Sequence, residues 1–293
     1  MDTQSLNVFM RVADLSSFSL AAEQLYLTQS AVSKRIQQLE SQLNSPLFER
    51  HNRTISLTEA GIALYSKAQQ ILDLVSDTEL TLQNLSGTVT GTLSMATSHH
   101  IGLHRLPPIL KEFVRCYPDA QLNLEFMGSE RAYKAVLSRQ VELALTTLEN
   151  NPPDGIESSL IWLDDMVCVC SAEHTLAQTN TPSLKQLADT PAILPEPDTI
   201  TFQLVEATFI KKGLKLQAPM PTNYLETIKM MVSVGLGWSL LPESMVIHDQ
   251  QLHRIRWPGP DIQRPLGLIH LQHRTLSNAA TAFIERLKEE IPS

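Results

Sequence analysis

The sequence predicts an all-α head, one long helix and an α/β body folded as two lobes. Three observations lead there. Residues 4–45 carry apolar positions at helical spacing between short polar breaks. Residues 59–87 carry an unbroken apolar seam. From Thr92 onward, strand-like and helix-like segments alternate. The 293 residues, 43% hydrophobic and 18% charged, supply core material for two or three compact units.

In the head, Leu6, Phe9, Met10 and Ala13 repeat as one helical face, and Ser16-Ser17 ends it. Ser19 can cap a second helix from Leu20 to Tyr26, whose Ala21-Ala22 pair allows close packing. Thr28 caps a third, with Val32, Ile36, Leu39 and Leu43 on one face. Two helices joined by the Tyr26-Leu27-Thr28 turn make a helix-turn-helix. On the third helix, Ser30, Ser33, Lys34, Gln37 and Ser41 point away from the apolar stripe. That face is short-chained, hydrogen-bonding and free of acids, as entry into the DNA major groove requires. Pro46-Leu47-Phe48 and Ile55-Ser56-Leu57 then read as two strands around Arg50-His51-Asn52-Arg53, a wing whose basic tip can reach phosphate.

Thr58 caps the long helix, with Glu59 in its first turn. Leu64, Ala68, Ile71, Val75, Thr78, Leu82 and Leu85 recur at spacings alternating between four and three, up to Gly87. A helix of ~29 residues spans roughly 44 Å, and its seam reads as a dimerisation surface. In the body, strands are expected at 92–97, 121–127, 141–148, 160–171, 191–195, 237–241, 252–257 and 265–272. Helices are expected at 103–117, 129–139, 183–189, 201–213, 224–235 and 277–290.

Charge and motif content narrow the function. The net charge of −8 argues against a protein that coats nucleic acid generally. Residues 1–58 balance five bases against five acids, and four of those bases fall between Lys34 and Arg53. Any nucleic-acid surface is therefore small and local. No apolar run reaches the ~18 residues of a membrane-spanning helix. The polar opening Met1-Asp2-Thr3-Gln4 and the three cysteines fit a cytoplasmic chain without a secretory leader. No Gly-rich phosphate loop, Gly-x-Ser-x-Gly elbow or His-Glu-x-x-His occurs, so neither enzyme chemistry nor a cofactor is expected. His99, His100 and His104 lack nearby Cys or paired carboxylates, and no metal site is expected either.

Residues 18–61 resemble the N-terminal domain of LysR-type transcriptional regulators. The likeness lies in Phe18-Ser19-Leu20-Ala21-Ala22, Thr28-Gln29-Ser30-Ala31-Val32-Ser33, Ile36, Leu39-Glu40, Leu47-Phe48-Glu49-Arg50, Arg53 and Leu57-Thr58-Glu59-Ala60-Gly61. Asn44 stands where many members have Gly, and Lys34 where Arg is frequent. The resemblance implies an N-terminal winged helix-turn-helix over 1–58, a linker helix over 59–87 and a hinge at 88–91. An effector-binding domain similar to type 2 periplasmic binding proteins would follow over 92–293. Its first lobe would comprise 92–162 and 267–293, its second 163–266. The implied partners are operator or promoter DNA, a small effector, a second copy in a homodimer, a homotetramer built as a dimer of dimers, and RNA polymerase.

The DNA-contacting residues expected are Gln29, Ser30, Ser33, Lys34, Gln37, Arg50 and Arg53. For a small polar or anionic effector the expected contacts are Ser98, His99, His100, Thr146, Thr147, Thr199 and Thr201. Several of these stand at helix starts, where free backbone N–H groups favour an anion. A histidine beside such an anion is expected to gain charge. The competing reading is a redox-sensing regulator of the same family, acting through Cys or Met oxidation. Against it, Cys168 and Cys170 alternate with Val167 and Val169 and read as core, as do Met230 and Met231 beside Ile228 and Val232.

Overall fold

The apolar periodicity of the first 45 residues closes into a three-helix head. The computed structural model describes residues 1–51, 54–179 and 181–289. It divides into two units, Met1–Ser86 and Gly87–Ser293. In the first, α1 (Thr3–Leu15), α2 (Phe18–Gln24) and α3 (Gln29–Leu43) bury Leu6, Phe9, Val12, Phe18, Val32, Ile36 and Leu39 against one another. Asp2 and Thr28 cap α1 and α3 by accepting backbone N–H bonds. The cap of α2 is Ser17, not Ser19, because Phe18 belongs to the buried face and must lie inside the helix. β1 (Phe48–His51) and β2 (Thr54–Leu57) pair antiparallel as the wing. Glu40 Oε1 accepts the Leu47 N–H at 2.8 Å and so fixes where the wing leaves α3.

Helix α4 (Glu59–Asn84) is capped by Thr58 and ends three residues short of Gly87. Its first half packs on the head through Leu64, Tyr65, Ala68 and Leu72. A Cβ at Gly61 would meet the Leu47 carbonyl oxygen at 2.2 Å, which is why glycine stands there. Tyr65 donates its hydroxyl to Asp14 at 2.6 Å, and that carboxylate pushes the phenol up to about 12. Beyond Leu72 the helix leaves Leu74, Leu82 and Leu85 exposed.

The second unit is built on β3 (Gly91–Thr97), β4 (Ala120–Phe126), β5 (Leu143–Thr147), β6 (Ile156–Ser171), β7 (Trp238–Pro242), β8 (Leu252–Ile255) and β9 (Gln263–Leu271). The order is β4-β3-β5-β9-β6-β7, with β8 also on β6. β6 is twice used. Its Ile156–Asp165 stretch pairs with β9, and its Met166–Ser171 stretch pairs with β7 and β8. This divides the unit into two lobes joined by β6 and β9. In the first lobe, α5 (His99–His104), α6 (Leu106–Cys116) and α11 (Asn278–Glu289) cover one sheet face, and α7 (Ser129–Leu137) the other. In the second, α8 (Leu184–Ala188) and α9 (Ile200–Ile210) cover one face and α10 (Leu225–Ser233) the other.

Three body expectations change. The helix expected at 103–117 is two, α5 and α6. Pro107 and Pro108 have no N–H to give the carbonyls of Leu103 and His104, so the chain must start a new helix. The strand expected at 191–195 reduces to a single bridge, Ala192 to Trp238. Met230 is 52% exposed rather than core, while Met231 packs against Ile228 and Val232 as expected. No helix among the described residues is long and apolar enough to cross a membrane.

Candidate functional site

The two lobes face each other across a cavity of about 500 Å³. Four helix starts meet it: Ser98 and His99 of α5, Gly128 and Ser129 of α7, Thr199 and Ile200 of α9, Tyr224 and Leu225 of α10. Each follows a strand or loop that ends at the cleft, the place where ligands of open α/β sheets gather. The starts of α7 and α10 have no side-chain cap at the N-cap position, and at α7 the Glu130 carboxylate takes its own backbone N–H. Ser98 and Thr199 are N-caps, accepting from Ile101 and Phe202, and Thr199 also donates to the Glu196 carbonyl. Thr199 has therefore spent its one donor within its own turn.

Of the seven effector positions expected from sequence, Ser98, His99, His100, Thr147, Thr199 and Thr201 line this cavity. Thr146 does not. It is wholly buried, one residue out of phase with Thr147 on β5, and its Oγ1 has no hydrogen-bond partner. His99 lies against Phe126 and, across the cleft, edge-on to Tyr224. A Cβ at Gly102 would meet the Phe126 ring at 2.4 Å, so the glycine lets α5 lie this close.

Bordering the cavity through His100 and Arg264 is a charge cluster whose Asp164, Arg264 and Arg105 sequence reasoning missed. Asp164 on β6 and Arg264 on β9 are register partners where the two strands pass between the lobes. Asp164 Oδ2 lies 2.8 Å from an Arg264 terminal nitrogen and 3.1 Å from His100 Nε2, and Oδ1 lies 2.9 Å from Arg105. Arg105 in turn stacks over the Trp162 ring. Burial pushes the Asp164 carboxyl up, but His100 and Arg264 outweigh it and hold it well below the usual carboxylate range. Burial lowers His100, the Arg264 charge adds to that, and Asp164 works against it. The net fall keeps the imidazole neutral. With Asp164 ionised and both guanidinium groups charged, the cluster carries one net positive charge. Glu130, Glu196 and Asp198 stand at the cavity wall with Arg131 and Lys134. Burial raises Glu130, and the charges of Asp198 and Glu149 add to it.

In the head, Gln29, Ser30, Lys34 and Gln37 are exposed on one side of α3 and Ser33 is half-buried. Thr28 and Ser30 hydroxyls hydrogen-bond at 3.0 Å beside them. Arg50 stands on β1, while Arg53 lies outside the described residues. Among the described residues no three His, Cys, Asp or Glu groups assemble as a metal site. Cys168 and Cys170 are buried under α9. Burial pushes both thiols up, that of Cys170 to about 11, so neither favours the reactive thiolate.

Residues 3–62 match the family model of the bacterial regulatory helix-turn-helix protein, lysR family. Residues 86–292 match the LysR substrate binding domain. An uncharacterized HTH-type transcriptional regulator in the ibpB-leuC intergenic region of Azotobacter vinelandii is 58% identical over 108 residues, 37% of this chain and 75% of that protein. A probable RuBisCO transcriptional regulator of Synechocystis is 28% identical over 292 residues, 96% of this chain and 84% of that one. The solved structure of CrgA, a LysR-type transcriptional regulator from Neisseria meningitidis, is similar at a TM-score of 0.59, with 26% identity and 100% of both chains covered. With the family's DNA-binding head and its substrate-binding body both present, this chain belongs to the LysR family of DNA-binding transcriptional regulators.

Proposed function

We propose that a small polar or anionic effector binds between the lobes and adjusts how a cytoplasmic homodimer, assembled further into a tetramer, holds its operator. The observation that carries this reading is the cleft itself: a cavity ringed by helix starts and lined by Arg131, Lys134 and Arg264 together with Glu130, Glu196 and Asp198. The lobes in this reading comprise 92–162 with 267–293 and 163–266, and they hinge where β6 and β9 cross. An effector shifts the DNA equilibrium only by its differential affinity for the lobe arrangements, typically about 1–3 kcal/mol.

The test is operator binding with and without the low-molecular-weight extract of the host cells. Thr201 stands on the first turn of α9 at the cavity wall, and Thr201→Trp would fill that space. The wild-type protein should change its operator affinity by about 5- to 150-fold with the extract, and the variant should not respond. A variant that responds like the wild type would remove the effector from this cleft.

On the DNA side, α3 reads base edges through Gln29, Ser30, Ser33 and Gln37, and Lys34 beside them reaches phosphate. Lys34→Ala should weaken binding to all sequences alike and reduce the salt slope by about one. Ser33→Ala should relax preference at one base pair, for a cost of about 1–3 kcal/mol. Wild-type affinity and slope in both variants would place the reading surface elsewhere.

A further inference from the structure

Tyr26, in the turn between α2 and α3, is 97% exposed, and its backbone lies in the left-handed region at a φ of 53°. Both facts are unusual for an aromatic residue. The turn closes α2 as a Schellman motif: the Leu27 N–H donates to the Ala22 carbonyl and the Tyr26 N–H to that of Glu23. Glycine is the usual residue at this position, because a Cβ there crowds the backbone. The neighbours set the direction of the ring. Leu25 and Leu27 both pack on the head's core, so the residue between them projects outward. Thr28, Gln29 and Ser30, the cap and first residues of α3, are exposed just beyond it. A helix that enters the major groove leads with its N-terminal residues, which sets the preceding turn at the rim of the groove, beside a phosphate strand. A ring held out in water on a strained turn gives the free head no packing, and strain of this kind persists where function uses it.

We propose, building on α3 as the groove-entering helix, that Tyr26 donates its hydroxyl to a DNA phosphate at that rim and so helps to seat α3. Tyrosine hydroxyls are ordinary phosphate donors, and such contacts fix register without reading sequence. The rigid ring carries the donor out from the turn and adds no charge to a face where Lys34 already supplies one. The contact therefore releases no counterion, unlike that of Lys34.

The full-length protein is titrated with two duplexes, the DNA upstream of its own gene and one of random sequence. Tyr26→Phe keeps the ring and the strained backbone and removes only the donor. Its affinity for both duplexes should fall by the same factor, about tenfold or more, because every bound head loses a hydrogen bond to a charged acceptor. Its salt slope should stay within about 0.3 of the wild-type value. Tyr26→Gly removes the ring and the strain together. It should bind as weakly as Tyr26→Phe, while amide exchange across α2 and α3 slows by about two- to fivefold as the turn relaxes. A residue that only held the turn in shape would instead give faster exchange as affinity fell. Wild-type affinity in Tyr26→Phe, faster exchange in Tyr26→Gly, or a loss on one duplex alone overturns the assignment. Lys34→Ala separates this contact from the reading beneath it. If Lys34→Ala weakens binding and the Tyr26 variants do not, only the Tyr26 contact falls; if none of them does, α3 is not the helix that enters DNA.

Discussion

Replacing Asp164 with alanine should cost the effector domain about 3–5 kcal/mol, since it strands two guanidinium groups without their shared anion. Asp164 is 1% exposed by side chain, so water cannot take its place. Arg264 is nearly buried, and Arg105 is held between Asp164 and the Trp162 ring. In a domain of this size the melting temperature should fall by on the order of 10 °C. The pH dependence follows from the two shifts. The Asp164 carboxyl is held low in the fold, so its stabilisation is present above about pH 4 and is lost as acid reaches its folded value. His100 is also lowered, so its part is present above about pH 6.5 and declines as pH drops from there. Wild-type stability should therefore begin to fall below neutrality and fall again at stronger acid, and Asp164→Asn should lose the second step. Calorimetric melts from pH 8 down to pH 2 follow the first fall and the onset of the second. An Asp164→Ala protein within about 1 kcal/mol of wild type would mean that the cluster does not hold the hinge.

That cluster also marks where reading the sequence stopped. The family resemblance put Ser98, His99, His100, Thr147, Thr199 and Thr201 at a cleft, and local periodicity alone shows only that they stand near strand ends or helix starts. Asp164 and Arg264 are 100 positions apart, and only the antiparallel crossing of β6 and β9 makes them partners. Asp164 has one sequence signal, a charge set inside a run that reads as strand, Arg264 falls one residue before the strand expected at 265–272, and alternation alone does not say which strand will lie opposite. Thr146 and Thr147 show a finer limit. Successive residues of a strand face opposite sides, so one step of phase separates a cavity-lining hydroxyl from a wholly buried one. The cap expected at Ser19 lies at Ser17, because Phe18 is buried and belongs inside the helix. Pro107 and Pro108 stand inside the single helix expected at 103–117, and there α6 starts anew. Heads and caps are local and were read closely; pairings across the hinge are not local.

Leu82→Asp should dissociate the dimer while leaving both folded units intact. The seam of α4 splits into two halves with different partners. Ala68 and its neighbours are buried against the head, whereas Leu82 is 63% exposed and Leu85 more so. A stripe of leucines facing water over the last turns of a helix gains stability only by meeting another apolar stripe. An aspartate at Leu82 therefore costs the isolated chain little, because the side chain stays hydrated there. Between two helices the same carboxylate would be buried against its symmetry mate, at a cost of several kcal/mol. Light scattering should show the assembly fall to smaller species at concentrations where the wild type stays associated. Affinity for an operator of two half-sites should drop by about 100-fold or more, since each head must then bind without its tethered partner. Circular dichroism and the melting transition of the effector domain should stay as in the wild type, and Leu82→Met should keep both mass and affinity. If Leu82→Asp keeps the wild-type mass, the exposed half of α4 is not the surface that joins two chains.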